Sequence, residues 1–359
     1  MTEISADPNT EAGAEAGAEA ATETGTEATA QQGLALLRLG EAALDAGELT
    51  DAREHFTAAE EQLADGPVAQ RAAAVRGRAL SHLLAGEVRY ASHLLEQAIG
   101  QLEVDSPPDP DALLLLHVAA IGPYTDLGAY TRAARAAEQA LNLASSATDP
   151  ALIALMHRSI ARTLIVAGRT EEAEASLARA QEIFHRLELH TDLAHVHWMR
   201  GYVHAQDGDL EQAERELRTA RDMLAAGNAV LFTVQAEVEL ADVLRRRGKG
   251  PEAERLLLAL LDQLTAYRGA VHAGGAHRLL GLMAQERGDN EAAEEHYVSA
   301  LALLERAGAA GDLADICRLL GDLLRRTGRV EAALDAYRTG LGHRAAVGTT
   351  TLGPAPADA

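Results

Sequence analysis

Glycine stands at positions 128, 168, 208, 248, 288 and 328, a spacing of forty repeated without slippage, and an alanine follows each glycine five residues later. Two earlier pairs, Gly47 with Ala52 and Gly86 with Ala91, keep the five-residue offset while the spacing around them slips to 39 and 42. A fixed period of this size means one supersecondary unit stacked on itself, because a single unit cannot bury its own apolar face. Architecture follows from the period, and any chemistry must come from what lines the shared surface.

Each unit reads as two helices joined by a tight turn, as in the run from Leu280 through Gly288 to Ala300. Gly288 breaks the helix because glycine takes a positive φ without steric cost, and an Asp or Asn after it can cap the next helix. Seven residues before the turn glycine stand small residues: Gly40, Ala79, Ala161, Gly201, Ala241, Gly281 and Gly321. Twelve after it come Ala59, Ala98, Ala140, Ala180, Ala220 and Ala300, and nine after it the larger plugs Phe56, Leu95, Leu177, Leu217, Leu257, Tyr297 and Tyr337. Small slots admit a neighbouring helix and large side chains fill the space between.

This pattern resembles the tetratricopeptide repeat (TPR), with its Leu-Gly pair on the first helix, a turn glycine, and Ala, aromatic or Leu, and Ala on the second. The resemblance covers nearly the whole chain and implies an all-α fold, a right-handed α-solenoid of about eight helix-turn-helix units over residues 31–347. Relative to the usual motif of about 34 residues, the extra residues fall between the last small slot and the next Leu-Gly, which lengthens the helices. Such long variants are similar to repeats in the sensory arrays of bacterial regulators, including those related to the maltose regulator and to peptide-sensing quorum proteins. That likeness implies a non-catalytic, regulatory scaffold that binds a protein or peptide.

Composition shifts only at the ends. Residues 1–30 hold seven acidic residues and no basic ones, a tail expected to be disordered. They have neither the basic start nor the apolar run of a targeting signal, and no stretch elsewhere is apolar enough to span a membrane. The tail 348–359, rich in Gly, Pro and Thr, is likewise expected to lie outside the solenoid. A single cysteine, Cys317, excludes an internal disulfide and fits a reducing cytoplasm. The net charge of −22 speaks against nucleic acid as a partner, because neutralising phosphates requires a basic face.

Numbering each unit so that the turn glycine is position 15, positions 2, 5, 9 and 12 of the first helix share one face. The TPR resemblance assigns that face, with position 13, to the concave groove. The expected groove is rich in arginine and not acidic: Arg76, Arg158, Arg278 and Arg318 at position 5, Arg162 at position 9, Arg245 at position 12. Repeat 5 adds His195, Trp198 and Tyr202, including the only tryptophan. Guanidinium forks and an aromatic anchor suit an extended peptide that is acidic or presents a free C-terminus. Arginine is also a good soluble helix former whose stem covers its neighbours.

Histidines 117, 157, 197 and 277 share position 4, but equivalent positions in stacked helices lie roughly 8–10 Å apart. Zinc needs ligand nitrogens about 2.0–2.1 Å from the metal, so these histidines read as packing or hydrogen-bonding groups, and neither a metal nor a cofactor is expected. Phosphate loops and nucleophile elbows are absent, Cys317 falls in a core slot, and acid pairs such as Glu294-Glu295 read as solvated first-turn charges. Repeat 3 departs from the pattern with Ile121-Gly122-Pro123 inside its first helix, where a kink is expected, read either as a local irregularity or as a hinge or widened groove next to Arg158 and Arg162. Two other readings stay open: an enzyme or small-molecule binder with a pocket near His195, Trp198 and Tyr202, and a self-assembling scaffold. The oligomeric state is not legible in the sequence.

Overall fold

The computed structural model describes residues 29–104, 108–127, 129–264, 270–307 and 310–345. The acidic segment 1–28, the tail 346–359, the connection 105–107 and the turn glycine Gly128 lie outside the described residues. Among those described there are sixteen helices and no strand. They are α1 (29–46), α2 (Leu49–Gln62), α3 (Val68–Leu84), α4 (Val88–Leu102), α5 (Pro110–Asp126), α6 (Tyr130–Ala144), α7 (Pro150–Val166) and α8 (Thr170–Arg186). The second half continues as α9 (His190–Gln206), α10 (Leu210–Ala226), α11 (Val230–Arg246), α12 (Gly250–Gln263), α13 (Ala270–Glu286), α14 (Asn290–Ala307), α15 (Ala310–Arg326) and α16 (Val330–Ala345). Odd-numbered helices are the first of each repeat; from α3 on each packs on its successor, and α3, α5, α7, α9, α11 and α13 also pack in order on one another, which makes an α-solenoid.

The turns obey local rules. Glycines 47, 86, 168, 208, 248, 288 and 328 all have φ between 71° and 89°, a region that penalises any Cβ. At Gly288 the N–H donates to Gln285 O at 3.0 Å and the next N–H, of Asp289, reaches Ala284 O at 2.9 Å. These two bonds satisfy carbonyls that the helix end leaves unpaired. Capping of the following helix is less regular than the sequence suggests. Asp209 and Asp289 do accept backbone N–H bonds, from Gln212 and Ala292, but most turns place Glu, Arg, Lys or Ala there with no side-chain cap. Between repeats, Glu188 and Asn228 adopt φ 56° without glycine, a geometry that no residue pattern announced.

Slots and plugs interlock within each repeat. A β-carbon added at Gly281 would lie 2.4 Å from the Tyr297 ring, and one at Gly201 2.6 Å from Leu217. Gly281→Ala therefore sets two effects against each other: alanine gains about 1 kcal/mol of helix propensity over glycine, while overpacking costs roughly 1–3 kcal/mol. The expected result is a net loss at Gly281 and a gain from Gly100→Ala on α4, where nothing lies within 4 Å. Thermal melts of the two variants check this, and a gain in both would remove the slot from the account.

The outer edge carries a ladder that the sequence reading missed. Glu214, Glu254 and Glu294, six residues past their turn glycines, reach cations flanking the next turn: Arg247 with Lys249 at 2.8 Å, Arg287 at 3.1 Å, and Arg329 at 2.9 Å. Glu294 is thus an inter-repeat contact rather than a merely solvated charge. Repeat 1 keeps the positions and reverses the signs, with Arg53 on Glu87 at 3.4 Å.

Small rotations between repeats coil the solenoid until its first turn meets α11. A β-carbon at Gly47 would stand 2.7 Å from Leu231 Cγ, and Leu231 is 2% exposed. Repeats 1 and 6 thereby touch across four intervening units.

Candidate functional site

Inside this coil lies a cavity of about 1010 Å³, walled mostly by the first helices of all eight repeats, from Glu41 on α1 to Asp315 on α15. Arg76, Arg158, Arg162, His195, Trp198 and Tyr202 line it together. Arg245, Arg278 and Arg318 do not. Arg245 is held by Asp242 at 2.8 Å and by Glu286, and Arg318 by Asp315 at 3.2 Å and Asp322 at 3.6 Å. Arg278 is half-buried on α13, close enough to act on the charge of Glu239. Gly122 and Pro123 also line the cavity, and α5 runs on through Pro123 to Asp126. A β-carbon at Gly122 would touch Arg162 Nη1 at 3.4 Å, so the bare backbone gives that guanidinium room.

The expectation of a groove rich in arginine and not acidic is overturned, because carboxylates outnumber arginines in the wall. The cavity wall carries Glu41, Asp45, Asp126, Asp192, Glu239 and Asp315. A tally of arginines by repeat position overlooks carboxylates that arrive from neighbouring helices and cancel them. Arg158 reaches Asp192 at 2.7 Å, and Arg162 is paired with Asp126, whose side chain is 8% exposed. Burial pushes the Asp126 carboxyl up, against the pull of Arg162.

Four charged groups of the wall, Glu41, Asp45, Arg76 and Glu239, stand apart from this pairing, and Arg76 is the one cation among them. Arg76 makes no hydrogen bond or ion pair among the described residues; Asp192 and Glu41 act on it only through space. Burial first, then the like charge of Arg158, lower its affinity for its proton. Glu239, on α11, also lacks such a partner among the described residues. Its pKa is pushed up to about 8, by burial first and by Asp242 second, with Arg278 opposing. No residue pattern singles out Glu239, because it sits at position 6, beside the face assigned to the groove.

Aromatic side chains line the same cavity. His195 Nδ1 lies 2.8 Å from Thr191 O, so that nitrogen donates. The ring meets Phe232 edge-on at 4.7 Å and Trp198 at 6.1 Å. Burial, reinforced by Arg158, lowers the His195 pKa to about 4. His272, 4% exposed, is lowered to about 4 by burial alone, and its Nδ1 has no hydrogen-bond partner. Phe232 and His272 precede position 1 of their repeats, so a reading confined to the groove positions passes over them.

The position-4 histidines face second helices instead: His197 Nδ1 meets Glu216 at 2.7 Å, and His277 Nδ1 meets His296 Nδ1 at 3.0 Å. Among the described residues no group of three His, Cys, Asp or Glu is placed to hold a metal ion. Nor is any helix among them long and apolar enough to cross a membrane. Cys317 is 2% exposed, and burial raises its thiol pKa.

Two family models described as tetratricopeptide repeat match the sequence, over residues 232–306 and 12–67. No curated protein matches it. A Rap protein complexed with competence and sporulation factor is similar in structure, with a TM-score of 0.60 at 15% identity over 89% of this chain and 99% of its own. So is the Rap conjugation gene regulator of plasmid pLS20 in complex with the Phr* peptide, at 0.60 and 14% over 89% and 96%. The apo quorum sensor NprR from B. thuringiensis gives 0.54 and 11% over 77% of each chain. Likeness at these identities concerns the fold. The two family models, the forty-residue period and the slot-and-plug packing agree that the chain carries tetratricopeptide repeats.

Proposed function

We propose that this protein is a non-catalytic regulator that binds a short peptide inside the coil of its solenoid, with a carboxylate of that peptide on Arg76. The observation that carries the reading is the state of Arg76. It lines the cavity without a partner among the described residues, whereas Arg158, Arg162, Arg245 and Arg318 are held by carboxylates. A desolvated guanidinium prefers a planar anion that takes two of its hydrogen bonds, and His195, Trp198 and Phe232 offer apolar area beside it. Cavity size favours a peptide over a folded domain, since drug-sized ligands occupy roughly 300–1,000 Å³. Similar folds include one in complex with the Phr* peptide and one named as a quorum sensor, which supports a regulatory role.

Immobilised protein should retain members of a randomised hexapeptide mixture with free termini, and Trp198 fluorescence should follow the titration. Arg76→Gln should weaken retention about tenfold or more, because a hydrogen bond to a charged group is worth about 1.5–3 kcal/mol. Arg215→Gln, on an exposed side chain of α10 paired with Glu211, is the control and should change nothing. Equal retention by the Arg76 variant and the wild type would falsify the carboxylate assignment. A fixed added mass in native mass spectra, with no peptide retained, would turn the reading toward a small molecule in the same cavity.

A further inference from the structure

We propose that the cavity has a second subsite of opposite sign, in which the Glu239 carboxylate receives a cationic nitrogen of the bound peptide. The inference rests on the peptide reading above and adds polarity to it. Glu239 lines the cavity on α11, with Tyr202 acting on it from α9, Asp242 from its own helix and Arg278 from α13. Asp242 is held by Arg245, and Arg278 stands outside the cavity wall. Glu239 is thus a cavity-lining carboxyl without a hydrogen bond or ion pair among the described residues.

A carboxyl in that setting lacks a neighbouring donor that would favour its charged form, so burial keeps its proton on. With a pKa of about 8, roughly one Glu239 in eleven is ionised at pH 7, and a cation has only about a tenfold bias to overcome. An ammonium or guanidinium arriving there supplies both the missing charge and the missing donor. Arg76 and Glu239 belong to separate neighbourhoods, the first with Asp192, Glu41 and Arg158, the second with Tyr202, Asp242 and Arg278. A ligand that satisfies both must carry an anionic and a cationic group at a set separation, which fixes its direction in the coil. The nitrogen is either the peptide's α-amine or a Lys or Arg side chain.

The test uses the full chain and two randomised hexapeptide mixtures, one with free amino termini and one acetylated, with retained peptides identified by mass spectrometry. Retention of free but not acetylated peptides assigns the α-amine; retention of acetylated peptides enriched in Lys or Arg assigns the side chain. Glu239→Gln should lower retention of the selected peptide about tenfold or more and abolish the release of about one proton on binding. That release is read by calorimetry at pH 7 in buffers of different ionisation heat. Thermal melting of the variant verifies its fold. If both mixtures are retained without enrichment, or the variant binds and releases protons as the wild type does, the subsite is overturned while the peptide reading stands. If neither mixture is retained, the peptide reading fails and takes the subsite with it.

Discussion

Phe56→Ala is expected to destabilise the amino-terminal repeats by about 3–5 kcal/mol, the usual cost of emptying a large buried aromatic site. Phe56 is 1% exposed, and its ring serves two slots at once. A β-carbon at Gly40 of α1 would lie 2.7 Å from it, and one at Gly77 of α3 would lie 2.3 Å away. Removing the ring therefore opens the joint within repeat 1 and the joint to repeat 2 together, and neither glycine has a side chain to collapse into the hole. Stability of a solenoid is close to a sum over units and nearest neighbours, so the damage should stay local. Hydrogen exchange should show lost protection in α1 to α4 while α13 to α16 keep theirs. Loss spread evenly along the chain would mean that the repeats unfold as one body, and the nearest-neighbour account would be wrong.

Stability should pass through a maximum near pH 6.5 and fall on both sides. On the acid side, His195 and His272 are held at about 4 in the fold against about 6.5 in the unfolded chain. Between those values the unfolded chain binds protons that the folded state refuses, so stability falls as the pH is lowered. At pH 5 each histidine costs roughly 2 kcal/mol. Burial lowers His117, His157, His277 and His296 as well, which adds to the same slope. On the alkaline side Glu239 acts with the opposite sign. Its folded pKa of about 8 exceeds the ordinary carboxylate value, so the fold keeps a proton that the unfolded chain has lost. Its stabilising contribution is complete in acid and disappears as the pH rises through about 8. Denaturant titrations of the wild type, His272→Leu and Glu239→Gln from pH 5 to pH 8 separate the two limbs. His272→Leu should flatten the acid limb by roughly 2 kcal/mol at pH 5, and Glu239→Gln should flatten the other. An acid limb unchanged by His272→Leu would show that this imidazole does not stay neutral in the fold.

What the chain makes legible is whatever a repeat decides within its own forty residues. The turn glycines sit at positive φ because helix ends need that geometry, and Gly281 faces Tyr297 because sixteen residues around one turn bring a slot to its plug. The inner face of each first helix follows from helical periodicity, which is why Arg158, Arg162, His195, Trp198 and Tyr202 share the cavity wall. Counting arginines along that face misled about its charge, because Asp192 and Asp126 come from adjoining first helices, 34 and 36 residues from the arginines they hold. Equivalent positions do not reveal which charges are paired.

Sequence alone determined the unit, its turn, its packing code and the face turned inward, since each depends on contacts within a repeat or between adjacent ones. Only the tertiary structure decided that Gly47 meets Leu231, and which helices share the wall of the cavity. It also decided that Arg76 and Glu239 are left without partners among the described residues while the arginines around them are satisfied. The physical reason is accumulation: a small rotation at each interface is invisible in one repeat, and five of them summed bring the first unit against the sixth.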